Sequence, residues 1–230
     1  KFKSGLQYQT SYIWAKNLTD IHGEGEVVGG LQNQYDRDSE WADYQYTRRH
    51  RFVLNAIYDL PFGKGRKFVQ SGLAEWIAGG WSLSTFALLQ TGPYFTPTFA
   101  GRDPANIGAS SGRPDRIAEG SVSDPTNGRW FDPSAFVIPA TGIGRFGNSG
   151  VNILRGPGTQ SMNLGLYKQF HLSERFRLRM EGTFTNLLNR ANFAAPDAVL
   201  SSGSVGRINA TQGLEGAGGR TTRVGLRLDF

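Results

Sequence analysis

The sequence predicts an all-β fold. We expect an antiparallel meander of about six long strands that forms a segment of a large transmembrane β-barrel with long extracellular loops and short periplasmic turns. Two observations predict it. Apolar and polar residues alternate in six separate stretches, as in strands that have one apolar face. The connections between these stretches are alternately longer and shorter, as in outer-membrane barrels.

The last stretch, residues 220–230, shows the alternation most clearly and keeps it to the final residue. A strand of about ten residues tilted by about 45° rises roughly 24 Å, which matches the apolar band of an outer-membrane barrel. We expect one face to contact lipid and the other to face the lumen. The residues predicted for the lipid face are Val224, Leu226, Leu228 and Phe230.

Five earlier stretches repeat the pattern, at residues 2–14, 51–60, 80–91, 161–172 and 176–187. The third is partly apolar on both sides, and we assign its lipid face to Trp81, Leu83, Ala87 and Leu89. A brief helical turn is expected at residues 73–77. Lys168 interrupts the lipid face of the fourth stretch, but near a strand end, where we expect its ammonium to extend out to water.

The order of connection lengths is long, medium, long, very short, long. This order fits a last strand that descends into the periplasm, with the shorter connections on the periplasmic side. Residues 92–160 show little periodicity and are expected to form an extracellular loop without regular structure.

Pairing Leu172 with Phe176 keeps the lipid faces of neighbouring strands together. In the last hairpin, Arg177 opposite Asp229 places Glu181 diagonal to Arg227, so opposite charges would compensate on the lumen wall. The residues predicted to face the lumen are Arg177, Arg179, Glu181, Arg223, Arg227 and Asp229.

Composition narrows the classes of function. The 230 residues include no cysteine, and the net charge of +6 is spread without a dense basic run, so we expect no nucleic-acid partner. A nucleophile elbow, G-x-S-x-G, is missing, and we expect no enzyme. The chain begins inside an alternating stretch with no visible signal peptide, which indicates a fragment of a longer protein.

Candidate ligand sites lie in the loops. His22, His50 and His171 lack ligand spacing, so no metal or cofactor is expected. The acidic residues of loop 36–43 either hold calcium or form a solvated acidic loop; they are Asp36, Asp38, Glu40 and Asp43. Five loop aromatics either stack on a ligand, such as a sugar or peptide, or pack the loops over the barrel rim. They are Trp41, Tyr44, Trp130, Phe131 and Phe136.

Several segments together resemble the C-terminal end of TonB-dependent outer-membrane transporters, in particular the Oar-like group with a carboxypeptidase-regulatory-like N-terminal domain. The resemblance covers essentially the whole chain. It is carried by the final Phe230 and by SYIWAKNL at 11–18, RRHRFVLNAIYDLPFGKGR at 48–66, GGWSLSTFALLQTGPYFT at 79–96, RWFDPSAFVIPATGIGRFGNSGVNILRGPG at 129–158 and NLLNRANF at 186–193.

The resemblance implies a barrel of roughly 22 strands, of which this chain supplies about the last six. It implies energy-coupled uptake of a bulky nutrient across the outer membrane of a Gram-negative-type bacterium. The implied partners are outer-membrane lipid, the remaining strands and plug domain, the TonB complex, and the barrel-assembly machinery, which reads the terminal strand. The plug, the TonB box and the signal peptide would lie outside this chain. The substrate stays open among siderophore, oligosaccharide, peptide and exported protein.

Two alternatives belong to other classes. A passive porin would share the barrel but would need more strands. A soluble β-sandwich adhesin or lectin would bury the alternating apolar faces under a second sheet, whereas a barrel leaves them exposed as one belt.

Overall fold

A computed structural model describes residues 5–20, 31–173 and 175–230, and its main element is one six-stranded antiparallel sheet. Neighbouring strands follow one another in the chain, so the sheet is a meander. This confirms the predicted fold class, although residues 2–4 of the first predicted strand lie outside the described residues. The strands are β1 (Leu6–Trp14), β2 (His50–Asp59), β3 (Trp81–Gln90), β4 (Thr159–His171), β5 (Arg177–Thr185) and β6 (Thr221–Asp229).

The predicted strand register is confirmed in the last two hairpins. Arg177 lies opposite Asp229. The N–H of Leu172 donates to the carbonyl of Phe176 over 3.0 Å across the tight turn. The uncertain face of β3 is also settled, because Ala87 lies opposite Leu54 on β2 and opposite Met162 on β4. All six strands therefore agree on one mainly apolar face.

This apolar face is exposed. Val224 and Leu226 on β6 are 77% and 68% exposed. The other sheets in the described part of the chain have two strands each, and none supplies the second large layer that a sandwich requires. The β-sandwich alternative is therefore wrong.

Aromatic side chains lie at both ends of the apolar face. Tyr12 and Trp14 lie at the end of β1 that leads into a long connection, and they are 63% and 65% exposed. Trp81 begins β3, and Phe170 is the last residue but one of β4, at the opposite end of the sheet. Paired aromatic rows of this kind border the apolar band of membrane barrels.

The long connections lie together at one end of the sheet. Because adjacent strands are antiparallel, the connections β1–β2, β3–β4 and β5–β6 all leave from this end. We call their described residues the cap: 15–20, 31–49, 91–158 and 186–220. The connections β2–β3 and β4–β5 lie at the other end, and we call their described residues the base: 60–80, 172–173 and 175–176.

The cap is folded, which overturns the expectation of an irregular loop over residues 92–160. Its regular structure consists of short antiparallel ladders and two 3₁₀ helices, Asp38–Glu40 and Pro133–Ala135. Ladders this short leave no readable period in the sequence. The paired segments are Leu18–Thr19 with Ala42–Asp43, Tyr94–Phe95 with Leu154–Arg155, Phe99–Ala100 with Ser111–Gly112, Asp115–Arg116 with Phe136–Val137, and Ser121–Thr126 with Arg129–Phe131.

The main hydrophobic cluster of the described residues lies in this cap rather than on the sheet. Phe131 and Phe136 pack edge to face with ring centroids 6.1 Å apart, and Ala135 and Leu154 complete the buried cluster. Such aromatic pairs stabilise beyond the area that they bury. The cap therefore has a core of its own.

The base carries the helix α1 (Gly72–Ala78), as the sequence predicts. Lys168 on β4 does not extend to water, so that expectation is wrong. It is 3% exposed, and its Nζ donates to the carbonyls of Trp76, Ile77 and Gly79. These carbonyls lack helical partners because the helix ends there, and the ammonium satisfies them. In the described part of the chain, no helix is both long and apolar enough to span a membrane.

Candidate functional site

The polar face of the sheet forms a trough. Two cavities of about 690 and 480 Å³ lie along it and share Ile57, Ser84 and Tyr167 as lining residues. The cavity of about 480 Å³ is also lined by Asn55, Asn163 and Thr183. Amides and hydroxyls therefore line much of the polar face there.

The six predicted lumen residues lie together on this polar face of β5 and β6. Arg177 lies opposite Asp229 and Arg179 opposite Arg227. The charges are compensated mainly within each strand, with Arg179 Nε 3.8 Å from Glu181 Oε2 and Arg227 Nε 2.8 Å from Asp229 Oδ1. Arg223, which lies opposite Thr183, extends to Glu215 in the cap over 2.5 Å. The wall is therefore polar and only partly neutralised.

Hydrogen bonds and one buried ion pair join the three long connections into one cap. The N–H of Thr98 donates to Ala198 over 2.9 Å, and the N–H of Trp130 donates to Gly206 over 2.7 Å. The ion pair joins Arg113 to Glu40, with Nη1 2.6 Å from Oε2 and side chains only 8% and 4% exposed. Arg113 also donates from Nε to the carbonyl of Ser149 over 2.8 Å. These contacts fix the first connection against the second, and the second against the third.

A cavity of about 580 Å³ opens beside this ion pair. Its apolar walls include Phe99, Phe146 and Val151, and the polar residues Glu40 and Arg113 lie on one side. Apolar concavities with a few fixed polar groups are typical of ligand sites, and their usual volumes are about 300–1,000 Å³. The cap therefore offers a concave surface of ligand size.

The acidic loop does not assemble as a calcium site. Glu40 is paired with Arg113, and Asp43 is paired with Arg49 over 2.9 Å. Asp36 accepts from the backbone of Ser39. Within the described ranges no three His, Asp or Glu side chains are grouped to hold a metal ion, and His22 lies outside those ranges.

The predicted ligand-contact aromatics divide into two sets. Phe131 and Phe136 are 1% and 6% exposed in the cap core, so the prediction that they contact a ligand is wrong. Trp41 is 59% exposed. Tyr44 is partly exposed and packs edge to face on Tyr46 with centroids 5.4 Å apart, and Trp130 donates from Nε1 to the carbonyl of Arg155 over 2.8 Å. Trp41, Tyr44 and Trp130 retain accessible surface.

Sequence reasoning missed the junction between sheet and cap. The Tyr94 hydroxyl lies 3.0 Å from Nη2 of Arg49 and 2.8 Å from Nη2 of Arg155. Arg49 directly precedes β2, and Arg155 lies at the end of a cap ladder. No short-range pattern signals a cluster whose members are this far apart in the chain.

Asp197 makes the stability of the cap depend on pH. Its carboxylate accepts from the hydroxyls of Ser202 and Ser204 over 2.5 and 2.6 Å, and from the N–H of Val199 over 3.0 Å. These donors stabilise the charged form and hold the pKa of Asp197 below its usual range. The stabilisation is therefore fully present above the unfolded pKa of about 3.9 and is lost as the pH falls through the folded pKa.

We expect the unfolding free energy of the cap to fall on acidification below about pH 4. Asp197→Asn should lose this component, and Ser202→Ala with Ser204→Ala should reduce it. Denaturant unfolding followed by tryptophan fluorescence at pH 7, 4 and 3 measures the difference. A pH dependence in Asp197→Asn equal to that of the unchanged protein would contradict the assignment.

Comparison with known proteins agrees with this geometry. Residues 1–223 match the family model described as "Outer membrane beta barrel domain". No curated protein and no solved structure gave a significant match. The match spans nearly the whole chain, and the meander with its exposed apolar face is the architecture that such a family requires. The chain therefore belongs to the outer membrane beta barrel domain family, and it is a protein of the outer membrane.

Proposed function

We propose that the protein is a TonB-dependent outer-membrane receptor of the Oar-like group that takes up a bulky nutrient by energy-coupled transport. The observation that carries the proposal is the folded cap beside the polar trough. The second and third connections share one hydrophobic core, and a buried ion pair joins the first connection to the second. Such a body presents a fixed binding surface at the cell exterior, which a receptor needs and a general pore does not.

Each set of residues has a role in this proposal. Trp41, Tyr44 and Trp130 offer aromatic surface for stacking on the nutrient. The charged residues of β5 and β6 line the transport path and contact a plug domain. Val224, Leu226 and Leu228 contact lipid, and Phe230 ends the strand that the barrel-assembly machinery reads. No catalytic role is part of the proposal.

The edges of the sheet support a larger barrel. Among the described residues β1 and β6 each pair on one side only. An open edge in lipid leaves backbone groups without partners, and each such group costs several kcal/mol. Further strands beside β1 and β6 would satisfy these groups.

Nutrient depletion tests the transport proposal. We would compare the compounds removed from a complex medium by the native strain, by a strain lacking this gene and by a strain lacking TonB. The proposal predicts at least one bulky compound that only the native strain depletes. A restored strain whose copy carries Trp41→Ala should take up this compound at least several-fold more slowly at limiting concentration, whereas Tyr35→Ala serves as an exposed aromatic control.

The passive porin alternative predicts the opposite results in these experiments. A compound whose uptake needs this protein but persists without TonB would overturn energy coupling. Planar bilayers provide a second readout, because the intact purified protein should show little steady conductance if a plug closes it. A stable open channel would favour the porin.

A further inference from the structure

We propose that the base forms a phospholipid-binding foot, defined as residues 61–78, which lies in the periplasmic membrane–water interface. Its helix α1 would insert an apolar face at the headgroup level, and its lysines would contact lipid phosphates. The ligand class is the anionic phospholipid of the inner leaflet. The contact with lipid is independent of how the protein transports its substrate.

The helix α1 presents apolar side chains outward. Leu73, Trp76 and Ile77 share one side of α1, at spacings of three and four residues. They are 74%, 53% and 57% exposed. None of the helix residues is buried. A short exposed helix with such an apolar side needs another surface to cover that side. Tryptophan is one of the residues enriched at membrane–water interfaces.

The position of α1 identifies lipid as that covering. The Trp76 ring lies 5.0 Å from the ring of Phe170, which is on the apolar face of β4. Lys168, on the same face, holds the last carbonyls of the helix, and Trp81 Nε1 donates to the carbonyl of Ile77 over 3.0 Å. The helix is therefore fixed against the outer side of the sheet, continuous with the belt that faces the membrane.

The segment before the helix supplies positive charge. Lys64, Arg66 and Lys67 are exposed, whereas the nearby acidic side chains are Asp59, which pairs with Arg66 over 3.2 Å, and Glu75. Lys64 and Lys67 thus carry the excess. Basic residues beside an apolar helix face attract anionic headgroups.

A groove connects the two parts of the foot. It has a volume of about 580 Å³ and separates the basic turn from the helix. Its lining combines basic and aromatic side chains, namely Phe62, Lys64, Arg66, Trp76, Phe170 and His171, with one carboxylate, Glu75. This combination suits a phosphate headgroup with the start of its acyl chains.

The base lies on the periplasmic side because it holds the shorter connections of an outer-membrane barrel. The inner leaflet there consists of phospholipids, including anionic ones. The occupant is accordingly a phospholipid with a net negative headgroup, such as phosphatidylglycerol.

Spin labels at single cysteines test the depth of α1. The 230 residues contain no cysteine, so the intact protein needs cysteines replaced only outside them. We would label Leu73→Cys and the cap control Ile117→Cys in phosphatidylcholine–phosphatidylglycerol nanodiscs; the native side chains are 74% and 67% exposed. The Leu73 label should collide several-fold more with oxygen, relative to a water-soluble nickel complex, than the Ile117 label. Equal ratios would overturn the proposal.

The preference of the protein for one lipid over another tests whether Lys64 and Lys67 contact anionic headgroups. We would measure the fraction of spin-labelled phosphatidylglycerol immobilised by the protein, relative to phosphatidylcholine. Lys64→Glu with Lys67→Glu should lower this selectivity about threefold. The cap control, Arg102→Glu with Arg207→Glu, makes the same change in charge and should leave it unaltered. Unchanged selectivity in the foot variant, or an equal fall in the cap variant, would overturn the headgroup contact.

Discussion

Replacing Arg113 with alanine should destabilise the cap by about 3–5 kcal/mol and leave the sheet folded. The reason is the charge that remains. The Glu40 and Arg113 side chains are 4% and 8% exposed, so the substitution removes the guanidinium that neutralises a buried carboxylate. The carbonyl of Ser149 also loses its donor. Hydrogen exchange in detergent should show faster exchange over residues 31–40 and 111–116, with β3 and β4 unchanged.

Two further variants show whether burial is the cause. Arg129→Ala removes an ion pair to Asp132 that is 62% and 34% exposed, and should cost at most about 1 kcal/mol. The double variant Arg113→Met with Glu40→Leu removes both charges and should recover most of the loss, because the cost of burying each charge is removed as well. If the double variant were as unstable as Arg113→Ala, the ion pair would not be the explanation.

Gly92→Ala should have an effect of at least about 3 kcal/mol, at the upper end of overpacking in a filled site. A Cβ at Gly92 would lie 1.8 Å from the carbonyl oxygen of Gly156 and 2.6 Å from that of Pro157. Both obstacles are backbone atoms, and the N–H of Gly156 donates to Pro93 over 2.8 Å. The chain leaving β3 therefore touches the chain returning to β4, and neither can shift without breaking this contact.

The matched control is Gly203→Ala in the cap, where nothing lies within 4 Å of the added Cβ. It should be nearly neutral. Gly92→Ala should loosen residues 92–96 and 152–158, measured as proteolytic cleavage and hydrogen exchange there. Protection equal to that of the Gly203→Ala control would show that the two chains can separate at little cost.

The alternation of side chains in the sequence was sufficient to place the six strands and to assign the faces of all but β3, which is partly apolar on both sides. A one-residue slip exchanges the faces of a strand, so one exposed apolar face and one polar face specify the register closely. The Arg177–Asp229 pairing followed from this argument together with the compensation of charges on the lumen wall. The predicted strand ends differ from the observed ones by a few residues, because the alternation is interrupted where the strands join the turns.

The cap was misjudged for the opposite reason. Its ladders are mostly two or three residues long, and its core brings together Phe131, Phe136 and Leu154 from separate stretches. Neither feature produces a periodic pattern of apolar residues in the sequence. Phe131 and Phe136 have the same residue type as a ligand-stacking aromatic, and only burial distinguishes the two roles. Glu40 looked like one of several loop carboxylates until Arg113, far along the chain, was found beside it.

The sequence by itself determined the meander, its two faces and the membrane setting, because a period of two is a local property that each strand repeats. Tertiary structure alone decided how the long connections pack into the cap, and that Lys168 holds the end of α1 on the outer side of the sheet. These arrangements depend on contacts between residues distant in the chain, where burial and charge pairing select the partner and no local spacing records the choice.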